Sequence, residues 1–171
     1  MVAKEYSKAL HELAEELKVV DLIKDEFKEV INLLKDKELM EFFTSPVIKA
    51  NEKKEVISKS FKGFNKDFVH FLYVLIDNNR FNGINEIYNE FININLEKNN
   101  TISIKLFSAE LLKETEVKRI LDLLKNRFNN KKIVYENIVD SSLIGGIRVL
   151  ANDTEININA KDSILNLKNS L

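Results

Sequence analysis

The spacing of apolar residues changes character at residue 101. Up to that point they recur every three or four positions, as one face of a helix demands. In TISIKLF (Thr101 to Phe107) they recur every two, with Ile102, Ile104 and Leu106 alternating against Thr101, Ser103 and Lys105. A 3.6-residue period and a 2.0-residue period cannot share one regular element. The switch therefore predicts a mainly α chain, with an N-terminal six-helix bundle over residues 1–100 and a small α+β C-terminal domain over residues 101–171. A chain of 171 residues can bury a core of its own in this arrangement without staples.

Chain-breaking residues are scarce before the switch: Pro46 is the only proline, and Gly63 and Gly83 are the only glycines in that half. The first helix is expected to present Tyr6, Ala9, Leu10, Leu13, Ala14 and Leu17 along one side. The second presents Ile23, Phe27, Val30, Ile31 and Leu34. A short third, around ELMEFF, stops at Ser45-Pro46, because a residue preceding proline is pushed out of the α region. A fourth carries Val56, Ile57 and Phe61 and runs to Gly63. The fifth, DFVHFLYVLIDNN, is apolar almost all round, so it is either central or covered on a second side. A sixth follows from about Asn82 with Ile84, Ile87, Tyr88, Phe91 and Ile94.

Beyond TISIKLF, Val117, Ile120, Leu121, Leu124 and Phe128 form a helical stripe, and KIVYENIV returns to strand character. Two further β-like runs flank the turn at Asn152-Asp153, and Asn159 is placed to cap a final helix with Asp162 in its first turn.

The glycine pair Gly145-Gly146, in SSLIGGIRVLANDTEININA, poses the sharpest chemical question. A phosphate loop leads its glycines into a helix N-terminus, usually with a following Lys and Ser or Thr. Here IRVLA follows, a strand pattern. The pair is therefore expected to be structural, at a strand position where backbone must approach closely.

No catalytic, metal or cofactor-binding residue is expected. The chain has no cysteine, and its two histidines, His11 and His70, lie on separate helices without a second imidazole one turn away, so both are expected on helix surfaces or facing a partner. Adjacent carboxylates such as Glu15-Glu16 point in different directions on a helix. The formal charge is −1, and the densest basic window, Lys118 to Lys132, holds six basic residues and one acid, suited to a solvated helix face rather than to nucleic acid. No apolar run is long enough to span a bilayer and the N-terminus lacks a signal-like apolar core, so membrane association is expected only through partners. What stands out instead is apolar surface: helix five has more of it than one core-facing stripe requires, and helix one carries the small Ala9 and Ala14, which allow close helix approach.

Several segments, in order, resemble the delta subunit family of the F-type ATP synthase, called the oligomycin-sensitivity-conferring protein in mitochondria. They are EYSKALHELA in the opening helix, FFTSPVI at the Ser-Pro turn, FLYVLIDNNRF with Arg80 at the end of helix five, IVDSSLIGGIRV, and the closing SILNLKNSL. Asn157 and Asn159 stand where that family usually has Asp and Ser before the last helix.

The resemblance implies a non-catalytic stator subunit at the cytoplasmic face of the inner (plasma) membrane, linking the catalytic α/β head to the peripheral stalk and resisting rotor torque during proton-driven ATP synthesis. It implies an α-subunit N-terminal helix held in a groove between helices one and five, and the C-terminal end of the b subunit held by the second domain. Tyr6, Ala9, Leu10, Leu13, His70, Tyr73, Val74 and Asp77 are the expected groove residues, positions 70, 73, 74 and 77 sharing one face of helix five. The competing reading of the same apolar surface is a soluble helical adaptor that binds amphipathic partner helices outside any ATP synthase. An RNA-binding reading is disfavoured by the low net charge and by strands lacking a stacking-aromatic pattern beyond Tyr135.

Overall fold

The computed structural model describes residues 2–129, 131–151 and 154–158. Six helices come first: α1 (Val2–Glu16), α2 (Val20–Leu33), α3 (Lys37–Thr44), α4 (Ala50–Ser60), α5 (Lys66–Asp77) and, after a 3-10 turn at Phe81–Gly83, α6 (Ile84–Lys98). Then follow β1 (Thr101–Ser108), α7 (Glu114–Arg127), β2 (Lys132–Val139), β3 (Ile147–Ala151) and β4 (Thr154–Ile158). The chain is thus mostly helical with a small four-stranded sheet near its C-terminus. It divides into two compact units, the first Met1–Asn95 and the second from Leu96 onward. The final helix expected after Asn159, and its first-turn Asp162, lie outside the described residues.

Polar residues of particular kinds set the helix ends. Asp36 accepts from the backbone N–H of Glu38 and Leu39 to start α3, and Asn65 accepts from Asp67 and Phe68 to start α5. Four helices end on a residue with positive φ: Lys18 after α1 (58°), Asn79 after α5 (53°), Asn100 after α6 (49°) and Asn129 after α7 (51°). After α1, Val19 N–H returns to Ala14 O at 2.9 Å, and after α5, Arg80 N–H returns to Leu75 O at 2.8 Å, so orphan carbonyls are satisfied. Glycine usually takes this left-handed position; in a glycine-poor chain asparagine does so, because its short polar side chain tolerates it.

The core of the first unit is built round Phe27 of α2. Its ring lies 5.2 Å from Phe68, 5.1 Å from Tyr88, 6.1 Å from Phe91 and 6.2 Å from Phe71, so α2, α5 and α6 meet through edge-to-face and tilted contacts. Ile23, Val30, Ile57, Leu72, Leu75, Ile84 and Ile87 complete it. Helix α4 stops at Ser60 rather than continuing to Gly63; Phe61 caps it and stays in the core.

Polar residues enter this core in places that apolar spacing does not mark. Ser7 is fully buried on α1, its hydroxyl 2.7 Å from both Ala3 O and Ile87 O. His11, expected at a surface, is instead buried against Phe91, with ring centroids 5.3 Å apart and Nε2 3.4 Å from Asn95 Oδ1. The ring packs as an aromatic while its nitrogen reaches a polar group on α6, which makes burial tolerable.

In the second unit the strand order is β2-β1-β3-β4, with β1 and β2 parallel and the other pairs antiparallel. Parallel neighbours need a long crossover, and α7 provides it. Ile102, Ile104 and Leu106 of β1 and Val149 and Ala151 of β3 pack against Val117, Ile120 and Leu124 of α7. That leaves Phe107 and Arg148, paired in the β1–β3 register, on the opposite face of the sheet.

Candidate functional site

Helix α1 has two apolar faces, and the packed one is not the one that apolar spacing favours. Ala3, Ser7, Leu10, His11 and Ala14 turn inward; Leu10 is 2% exposed and Ala14 0%. A second stripe, Val2, Tyr6, Ala9, Leu13 and Leu17, follows helical spacing on the outer side, with Val2 38%, Leu13 37% and Leu17 45% exposed. Ala9 lies exposed at its centre, and Tyr6 is half-buried. The stripe expected to include both Leu10 and Leu13 is therefore split. Leu10 belongs to the core because Ser7 and His11, by finding partners on α6, draw that side of α1 inward.

Helix α5 behaves as its composition suggests. Phe68, Phe71, Leu72, Leu75 and Ile76 are buried, while His70 and Asp77 are exposed and Tyr73 and Val74 half-buried on the outer side. The two helices meet where the Tyr6 ring stands edge-on to Phe71, centroids 6.4 Å apart. The structure thus brings Tyr6 to α5 and leaves Ala9, Leu13, His70 and Val74 on outer faces.

Tyr73 and Asp77 are already engaged from a third element. Lys54 of α4 sits 2.5 Å from an Asp77 carboxylate oxygen and 5.8 Å above the Tyr73 ring centroid. Its ammonium satisfies the carboxylate and the ring face together, leaving Val74 as the apolar part of that surface. Lys54 is a contributor that sequence spacing does not reveal, since it lies 23 residues from Asp77.

The glycine pair needs a correction. Gly145 and Gly146 lie in the loop before β3, not within the strand, and a Cβ added at Gly145 meets nothing within 4 Å. Close backbone approach is therefore not the reason for Gly145. Gly146 has φ 81°, which an L side chain rarely adopts, so turn conformation is its requirement. The loop is held by a charged clamp. Asp140 accepts from the Ser142 hydroxyl at 2.5 Å and its N–H at 3.1 Å, and from Arg148 at 2.9 Å, while the guanidinium lies 4.4 Å over the Phe107 ring. The Ser142 hydrogen bonds, with Arg148 contributing, hold the Asp140 carboxyl below its ordinary value. Opposite charges on either side of a glycine loop were the available sequence signal for this clamp.

Beside the pair is an open cleft of about 410 Å³, lined in part by Gly145, Gly146, Leu112, Ile147 and Ile158. Leu111 and Ile144, next to these lining residues in sequence, are largely exposed. The pair leads into β3 and not into a helix, so it does not form a phosphate loop. The helix start that does line the cleft, at Lys113 and Glu116 of α7, carries its own carboxylate, Glu116 accepting from Lys113 N–H at 2.8 Å. Among the described residues, no cluster of three or more His, Cys, Asp or Glu could hold a metal ion, and no helix is long and apolar enough to cross a membrane.

Comparison with known proteins places these features in a family. The family model described as "ATP synthase delta (OSCP) subunit" matches residues 2–171. The ATP synthase subunit delta of Acetivibrio thermocellus is 31% identical, covering 100% of this chain and 97% of its own length. That of Bacillus thuringiensis is 33% identical, covering 87% of this chain and 83% of its own. Among solved structures, a chain of the Toxoplasma gondii mitochondrial ATP synthase hexamer superposes with a TM-score of 0.69, covering 99% of this chain and 97% of that one at 17% identity, which shows a shared fold.

Proposed function

Given that the chain belongs to the ATP synthase delta (OSCP) subunit family and is a non-catalytic linking subunit of the stator, we propose that its two units grip opposite ends of that link. The six helices act as a bundle over residues 1–100 that receives the N-terminal amphipathic helix of the α subunit between the outer stripe of α1 and the outer face of α5. The C-terminal domain, residues 101–171, receives the C-terminal end of the b subunit. The assembly so formed sits at the cytoplasmic face of the inner (plasma) membrane, attached through its partners alone.

The observation that carries this reading is the exposed stripe of α1. An apolar row on the solvent side of a helix whose other side is packed suits an amphipathic partner helix. Covering Leu13 and Leu17, each still roughly two-fifths exposed, gains about 1 kcal/mol apiece, and Val2, Tyr6 and Val74 add to it. Ala9 in the middle of the row lets the partner backbone come close. For the second unit, support comes from the cleft at the glycine loop and the exposed Leu111 and Ile144 beside it. A link of this kind has no chemistry to perform: it must resist torque, so that the head does not turn with the rotor.

Calorimetric titration of the full chain with a peptide matching the α-subunit N-terminus tests the first contact. Saturable one-to-one binding is expected, and Ala9→Asp weakens it at least tenfold, about 1.4 kcal/mol, by burying a charge in an apolar groove. Absence of saturable binding by the folded chain, or equal binding by the Ala9→Asp chain, overturns the groove assignment.

A further inference from the structure

Next to the C-terminal end of α5, the first unit contains a cation that its own charges do not neutralise. Lys53 of α4 is 7% exposed, and its ammonium donates to Ser45 O at 2.7 Å. No Asp or Glu among the described residues lies within ion-pair distance of it; the neighbouring Lys54 takes Asp77. The carbonyl end of α3, which Ser45 caps, supplies part of the compensation through its partial negative charge. An ammonium has three donors, however, and a buried charge is ordinarily paired with an opposite one.

Lys53 lines a cavity of about 160 Å³ together with Phe43, Thr44, Ile76, Asn79, Phe81 and Asn82. At roughly 30 Å³ per water this is room for about five waters, or for one small oxyanion with its remaining solvation. The lining divides by chemistry. Phe43, Ile76 and Phe81 are buried and form an apolar wall, while Asn79 and Asn82 are exposed and bring side-chain amides to the solvent side. The local backbone holds this arrangement: Asn79 is one of the positive-φ helix ends, and the 3-10 turn Phe81–Gly83 follows immediately. A deep cation, two amide donors nearer solvent and an apolar wall can receive a carboxylate or another small oxyanion.

We propose that this cavity is an anion-binding site in which Lys53 is the charged ligand and Asn79 and Asn82 supply further donors, suited to a carboxylate-sized oxyanion. Two sources share that chemistry, an acidic side chain presented by a partner polypeptide and a free inorganic oxyanion.

The test is a titration of the isotope-labelled full chain with sodium acetate and, separately, sodium phosphate, followed by amide chemical shifts, with Lys53→Met titrated at equal concentrations to cancel ionic-strength effects. The expected result is saturating shifts confined to Thr44, Lys53, Asn79 and Asn82, with at least tenfold weaker apparent affinity in Lys53→Met. Tighter acetate binding assigns the site to a polypeptide carboxylate, and tighter phosphate binding assigns it to a free oxyanion. Asn82→Asp, at an exposed position, serves as the second variant: it places a negative charge at the site without disturbing the core and should weaken binding by a similar factor. Shifts linear in concentration, or affinity unchanged in a folded Lys53→Met or in Asn82→Asp, overturn the proposal.

Discussion

Adjacent residues on α1, Ala9 and Leu10, offer a direct test of which face of that helix packs. Leu10 is 2% exposed within the first unit's core, whereas Ala9 is exposed. Leu10→Ala removes three buried carbons, about 2.4 kcal/mol at roughly 0.8 kcal/mol each, and leaves a space that raises the cost to about 3 kcal/mol. With a urea slope of about 2 kcal/mol per M, the unfolding midpoint falls by about 1.5 M. Ala9→Asp loses only helix propensity, about 0.6 kcal/mol, a shift of about 0.3 M. Far-ultraviolet circular dichroism during urea unfolding reads both. Peptide titration of the same variants completes the experiment: folded Leu10→Ala should still bind the α-subunit peptide, and Ala9→Asp should bind it at least tenfold more weakly. If Ala9→Asp lowers the midpoint as much as Leu10→Ala does, or if Leu10→Ala leaves stability intact, the orientation of α1 is wrong and the outer stripe with it.

Other residues give independent checks. Glu26 is buried, with Oε1 accepting from Asn65 N–H at 2.8 Å, and burial pushes its carboxyl above the ordinary value. A folded pKa above the unfolded one favours the fold below the ordinary glutamate range, an advantage lost as pH rises through the folded pKa. Glu26→Gln keeps an acceptor oxygen and removes the buried charge, so it should raise the neutral-pH unfolding midpoint and flatten its fall from mildly acidic to neutral pH; a lowered neutral midpoint would refute this. At the glycine loop, Gly146→Ala should cost about 1–2 kcal/mol through its positive φ, while Gly145→Ala should stay within about 0.5 kcal/mol, both read from denaturant midpoints. Asp140→Asn should loosen that loop. Because the native carboxyl lies below its ordinary value, the wild-type advantage is present above the unfolded pKa and disappears as pH falls through the folded one, which acid titration of both chains will show.

The orderly part of the fold was legible because it depends on local periodicity. Alternation in TISIKLF appears as the buried pattern of β1, and the stripe Val117, Ile120, Leu124 as the core face of α7. The stop at Ser45-Pro46 was also readable, since it rests on the conformational restriction of one dipeptide. The outer face of α5 could be inferred from a helix with more apolar residues than one core contact needs. Three asparagines, Asn79, Asn100 and Asn129, end helices where glycine is usual, a role that apolar periodicity does not mark.

The order of the elements, and the place where helical period gives way to strand period, follow from side-chain spacing along a local backbone and could be read in one dimension. Which side of α1 faces inward is instead set by packing between distant segments. That choice depends on Ser7 and His11 finding Ile87 O and Asn95 on α6, about eighty residues away. Such packing also places β1 beside β2 in parallel, brings Lys54 to Asp77, and leaves Lys53 buried beside its cavity. Each of these outcomes is a pairing between distant segments, and the spacing within either segment alone does not encode it.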